Sequence, residues 1–148
     1  MVDKSLKRIV VDCDGVIAGK ANGGDYSKAP PLEHGIQQVN KLYDEGWEIT
    51  LFTARYGERR GGNINQMYQA GYVEWLDWLE KHGVKYTNAY MGKPPAVLYI
   101  DDKAARVNGD DESGWEQVWK EVGELKKKDR YGNYCTDEQA RYWDSFVD

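Results

Sequence analysis

The sequence predicts an α/β domain with a mostly parallel, Rossmann-like sheet flanked by helices. Two observations predict it: short apolar runs alternate with stretches of helical periodicity, and the apolar runs tend to end in polar residues. The first run, residues 8–12 (RIVVD), is continuously apolar up to its final acid, as suits a strand buried on both faces of a parallel sheet. Residues 14–31 are rich in Gly, Ala and Lys and end in Pro30-Pro31, which predicts a loop or short flap hairpin. Leu32, Ile36, Val39 and Leu42 then recur at helical spacing, and Gly46 stops that helix. Residues 47–52 (WEITLF) form the next strand. A polar loop over 54–65 leads to a helix from about 66 to His82, stopped by Gly83. Residues 84–91 and 96–100 read as two further strands around the turn Gly92-Lys93-Pro94-Pro95. Ser113 is placed to cap a helix running to about Lys128. A core over 1–128 is followed by a tail over 129–148, read as part of the same domain. Within it Thr136-Asp137-Glu138-Gln139 has the pattern of a capping box.

The 148 residues suit a single compact domain. Hydrophobic residues make up 41%, and six Trp and eleven Tyr need a core in which to be buried, which excludes a disordered chain. No apolar run approaches the roughly 20 residues of a membrane helix. A strand begins almost at once, leaving no room for a secretory leader, so the expectation is a cytoplasmic protein. The net charge of −5 argues against a nucleic-acid partner, because such binders present a basic face to the phosphates. Cys13 and Cys135 suit a reducing compartment, and Cys13, between two aspartates, reads as a packing residue.

Four pieces carry the chemistry. Val10-Val11-Asp12-Cys13-Asp14-Gly15 runs a buried strand into two acids and a glycine. Thr50-Leu51-Phe52-Thr53-Ala54-Arg55 runs another into a hydroxyl. Gly92-Lys93-Pro94 offers an ammonium, and Leu98-Tyr99-Ile100-Asp101-Asp102 ends in two more acids. Any one of them has an ordinary structural explanation, since acids at strand ends often cap turns. Together they bring two acid pairs, a hydroxyl and a lysine to one sheet edge. Clustered carboxylates repel unless a cation holds them, and hard oxygen ligands favour magnesium.

The four pieces resemble, in order, the four motifs of the haloacid dehalogenase (HAD) superfamily, over roughly residues 7–106. The resemblance implies a magnesium-dependent phosphatase. Asp12 would be the nucleophile that takes the phosphoryl group, and Asp14 the general acid and then base. Thr53, with Ala54 and Arg55 beside it, would bind the phosphoryl group, and Lys93 would offset its charge and orient Asp12. The metal would be held by Asp12, Asp14 through its backbone carbonyl, and Asp101, with Asp102 ligating through water or positioning Lys93. Asp14 and Thr53 are separated by 38 residues and Thr53 and Lys93 by 39, which leaves no room for a cap domain. The site should therefore be open, or roofed by the 17–31 flap, the 55–65 loop or a neighbouring subunit of a homo-oligomer.

A closer resemblance runs through Thr53-Ala54-Arg55, Gly62-Asn63-Ile64, Glu74-Trp75-Leu76, Lys81-His82-Gly83-Val84, Gly92-Lys93-Pro94 and Asp101-Asp102-Lys103-Ala104. It is to small phosphatases linked to capsule polysaccharide biosynthesis, and implies a sugar phosphate or related small metabolite as substrate. Arg55, Arg59 and Arg60 are candidates for a further anionic group. Asn63 and Asn65 are candidates for sugar hydroxyls or for turns. The competing readings are a nucleotide or polynucleotide-end phosphatase, and a receiver-like or catalytically silent phosphate-binding module. The acid at position 14 favours turnover over a silent or long-lived phosphorylated state. His34 and His82 have no Cys or His at metal-ligand spacing, which argues against zinc. Lys126-Lys127-Lys128 reads as a solvated helix end. Trp75, Trp78, Trp115 and Trp119 read as helix-to-sheet packing, and the aromatic tail as packing or an oligomer contact.

Overall fold

The computed structural model describes residues 8–126, so the tail over 129–148, its capping box and most of the lysine run lie outside the described residues. Three parallel strands, β1 (Arg8–Asp12), β2 (Glu48–Thr53) and β3 (Asn88–Met91), form one sheet in the order β1-β2-β3. Helix α1 (Glu33–Asp44) connects the first two and α2 (Ile64–Lys81) the second and third, while α3 (Trp115–Leu125) follows the sheet. Two single 3-10 turns, at Asn22–Gly24 and Tyr26–Lys28, shape the segment before α1. The α/β expectation is met: β2 is central, with Ile49, Leu51 and Thr53 fully buried on one face and Thr50 buried on the other, as a strand covered on both sides requires.

The helices form where the periodicity placed them. Ile36, Val39 and Leu42 of α1 are buried, and so are Met67, Trp75, Trp78 and Leu79 of α2. Gly46 leaves α1 at φ 98°, and His82 closes α2. Asn63 caps α2 by accepting the Gln66 N–H at 3.0 Å. Of the expected packing tryptophans, Trp75, Trp78 and Trp115 are buried and Trp119 is partly so, its indole N–H donating to Gln38. Helix α3 is not capped by Ser113. Its N-cap is Gly114, in the left-handed conformation at φ 83°, and the Ser113 N–H is taken by Asp111.

Three strand expectations are corrected. The run over 84–91 is a strand only from Asn88 to Met91. The run over 96–100 is not a strand, and Val97, Leu98 and Ile100 are exposed. The reason is local. Pro94 and Pro95 have no N–H with which to enter a ladder. Tyr99 then turns back, its hydroxyl donating to the Pro94 carbonyl and its ring lying 4.1 Å from Lys93 Nζ. The expectation that residues 8–12 form a strand buried on both faces is not met either: among the described residues β1 pairs only with β2, none of its residues is fully buried, and Val10 is 60% exposed.

Helix α1 packs so closely on the turn after β1 that only glycine fits at position 35. A methyl group there would stand 1.7 Å from the Val16 carbonyl oxygen, and the Gly35 N–H already donates to Gly109 at 2.9 Å. Gly35→Ala should therefore lower stability by about 3 kcal/mol in urea unfolding, the upper end for overpacking. A change within experimental error would show that α1 does not bear on this turn.

Candidate active site

Parallel strands end at the same edge of a sheet, and the residues just beyond those ends meet there. Asp12 stands beside Phe52, and Thr53 beside Met91. The Lys93 N–H donates to the Thr53 carbonyl at 3.1 Å, which ties the turn after β3 to the end of β2. This brings Lys93 Nζ to 3.4 Å from Asp12 Oδ2, while Asp12 Oδ1 accepts the Cys13 N–H at 2.9 Å. Burial raises the Asp12 pKa, and Lys93 and the Cys13 N–H oppose that shift without cancelling it. Asp12 thus sits in a partly dry position with a single ammonium beside it.

Two residues on, Asp14 meets a second cation. Gly15 takes φ 88°, turning the chain so that its N–H reaches the Ala18 carbonyl at 2.8 Å. Arg55 Nη2 lies 2.9 Å from Asp14 Oδ1, and Nε lies 3.2 Å from each carboxylate oxygen. The Arg55 side chain is only 2% exposed, and its guanidinium lies 4.8 Å from the Tyr26 ring centre and 5.8 Å from that of Trp78. Asp14 itself is 44% exposed, so the pair stabilises the fold less than its geometry suggests. Thr53 is fully buried, and its hydroxyl oxygen accepts the Arg55 N–H at 3.2 Å. The Ala54 carbonyl accepts the Gly57 N–H and opens the loop that follows.

Of the candidate residues, Asp12, Asp14, Thr53, Ala54, Arg55 and Lys93 lie together at one sheet edge. Arg55, read from the sequence as a substrate contact, is turned inward onto Asp14. Asp101 and Asp102 are exposed, on a segment that does not join the sheet, and Asp101 Oδ1 accepts the Lys103 N–H at 2.7 Å. Among the described residues, no group of three or more acid, histidine or cysteine side chains is arranged to hold a metal ion. The donors near Asp12 are hard oxygens of the kind magnesium takes, so they fit in type. The third carboxylate that would complete such a set is not beside them.

Sequence reasoning missed Tyr26 and Trp78 as walls around Arg55. Tyr26 has no periodic neighbours to mark it, and the tryptophan spacing was fully explained by packing. Cys13 is buried, and burial above all pushes its thiol up to about 12, with Asp14 and Asp12 adding to the effect and Arg55 opposing it. That agrees with a packing role.

No protein-family model and no curated relative matches the chain. Among solved structures, a target protein from Vibrio cholerae is similar at a TM-score of 0.63 and 26% identity, over 94% of this chain and 98% of that one. A D,D-heptose 1.7-bisphosphate phosphatase from B. bronchiseptica, complexed with magnesium and phosphate, is similar at a TM-score of 0.42 and 19% identity, over 82% of this chain and 66% of that one. The first is a likeness of fold. The second is too slight to bear on activity.

The Asp12 shift has a consequence for stability. The folded state holds the Asp12 proton more tightly than the unfolded chain does. Its contribution is therefore fully present below the ordinary value of 3.8 and is lost as pH rises through the raised folded value. Asp12→Asn, which cannot ionise, should gain stability relative to the parent as pH rises from about 3 to 7, measured by urea unfolding in chelator. A difference that stays flat over that range would mean that Lys93 fully compensates the buried charge.

Proposed function

We propose that the chain is a magnesium-dependent phosphomonoester hydrolase of HAD type that works through a phosphorylated Asp12. The observation that carries this reading is the pairing of a partly desolvated Asp12 carboxylate with Lys93, two residues before an Asp14 gripped by a buried arginine. A carboxylate so placed is a nucleophile whose approach to a phosphate is eased by the adjacent ammonium.

In the first half-reaction a carboxylate oxygen of Asp12 bonds to phosphorus and the ester oxygen leaves, taking a proton from the Asp14 carboxyl. In the second, the Asp14 carboxylate removes a proton from water, whose oxygen bonds to phosphorus and displaces Asp12. Both carboxyl groups return to their starting states, and inorganic phosphate is released. Lys93 balances charge at Asp12 in both halves. Arg55 is a positioning residue that holds Asp14, and Thr53 supports Arg55 through its backbone N–H. Magnesium would shield the two anions from each other as they meet. Asp12, the Asp14 carbonyl and Asp101 would hold it, with Asp102 just outside.

For Asp101 to take that place, the apolar run over 97–100 must leave solvent and pair with the open edge of β1. Two observations support such a move. Val97, Leu98 and Ile100 are exposed, and Val10 on the edge they would cover is exposed as well. The substrate class, a sugar phosphate or related small metabolite, rests on the resemblance of Thr53-Ala54-Arg55, Gly92-Lys93-Pro94 and their companions to the capsule-linked phosphatases.

A phosphate-release screen over sugar phosphates, nucleotides and phosphorylated oligonucleotides tests this reading. Activity should require magnesium and favour the sugar phosphates. Asp12→Asn should reduce it by about a thousandfold or more, and Asp101→Asn should raise the magnesium needed for half-maximal rate. An Asp12→Asn variant with the parent rate, or a parent indifferent to chelator, would overturn the proposal.

A further inference from the structure

Lined by Asp14 at one side opens a cleft of about 1100 Å³ whose other residues have no part in the reaction just described. It lies between the flap after Gly15 and the loop leading into α3. Three basic residues line it, each from a different segment: Lys20 from the flap, Arg59 from the loop after β2, and Arg106 from the loop before α3. Tyr26, Asn108 and Ser113 line it as well.

Arg59 is held in place. Its Nη2 donates to the Gly24 carbonyl at 2.7 Å, and its guanidinium lies 4.8 Å from the Tyr26 ring centre and 5.3 Å from that of Tyr56. One N–H is spent on Gly24, and a guanidinium has five. Neither Lys20 nor Arg106 has an acidic partner among the described residues. Two carboxylates reach the cleft, Asp14 and Asp110, and Asp14 is already paired with Arg55. On a chain of net charge −5, three basic residues from three segments around one cleft mark a place where an anion is favoured.

We propose that this cleft is a second anion subsite, and that the substrate is a small phosphorylated sugar carrying another acidic group distal to the phosphate removed at Asp12. This rests on the phosphatase reading and narrows its substrate class. The distal group, a phosphate or a carboxylate, is held by Lys20, Arg59 and Arg106, and the sugar ring lies toward Tyr26. A simple aryl phosphate reaches Asp12 without filling the subsite, so the three cations discriminate between the two kinds of substrate.

The test compares kcat/KM for a hexose bisphosphate, a phosphorylated sugar acid and p-nitrophenyl phosphate in the parent, Lys20→Ala and Arg106→Ala. The parent should favour at least one doubly anionic substrate over the aryl phosphate. Each variant should lower that preference about tenfold, mainly through KM, as loss of one charge-assisted contact implies. Which of the two doubly anionic compounds loses most identifies the distal group. A parent with no preference, or variants that slow every substrate alike, would overturn the subsite. If the parent hydrolyses nothing, the phosphatase reading fails, and the cleft is judged by binding alone. Calorimetry with the hexose bisphosphate and with the phosphorylated sugar acid on Asp12→Asn should then give, for at least one of them, a measurable affinity that Lys20→Ala weakens about tenfold. No binding there, or binding indifferent to Lys20, would end the proposal by a route independent of turnover.

Discussion

Two carboxylates stand two residues apart at the end of a strand, and the site is organised around balancing them. The charge on Asp14 adds to burial in raising the Asp12 pKa. Asp12 and Asp14 are compensated by cations from different parts of the sheet. Lys93 arrives from the turn after β3, and Arg55 from just beyond β2. The parallel arrangement with β2 at its centre lets both counter-charges reach the acids of β1.

The compensation extends outward through Arg55. Its guanidinium is enclosed by Trp78 of α2 and Tyr26 of the flap. Trp78 in turn donates its indole N–H to the Ala29 carbonyl at 2.8 Å, fixing the flap to that helix. Arg59 closes the same circuit by bonding Gly24. Tyr56, at φ 67°, accepts a left-handed backbone because its ring fills the slot over Gly71 and its hydroxyl bonds Glu74 at 3.1 Å. Flap, loop and helix are thus joined through aromatic faces and arginine side chains, and Asp14 is held by the whole assembly.

Much of this was legible in the sequence. The apolar runs marked where β1 and β2 lie, although β1 is not the strand buried on both faces that its run predicts, and the rule that functional residues follow strand ends placed Asp12, Thr53 and Lys93 together. The periodicity of α1 and α2 was equally clear, because an amphipathic face leaves a regular trace. What escaped depended on particular side-chain contacts, one between distant segments and the others local. Nothing local tells that Arg55 points inward to Asp14, since the direction of an arginine is decided by what encloses it. Nor does composition tell that Val97-Leu98-Tyr99-Ile100, four good strand formers, turn back. Propensity favours a strand there, but two prolines and the Tyr99 contact with Lys93 and Pro94 hold the chain in another course. The cap of α3 falls to Gly114 and not to Ser113, which has the better capping residue type, because Asp111 two residues earlier takes the Ser113 N–H.

The central claim is that Asp12 becomes covalently phosphorylated, and chemical trapping tests it most directly. The protein would be quenched within the first turnover of a phosphate ester and treated with borohydride, which reduces an acyl phosphate to an alcohol. Peptide mass spectrometry should then find residue 12 converted to homoserine, in proportion to the enzyme used. Aspartate intact at position 12 in every quenched sample that had released phosphate would contradict the account.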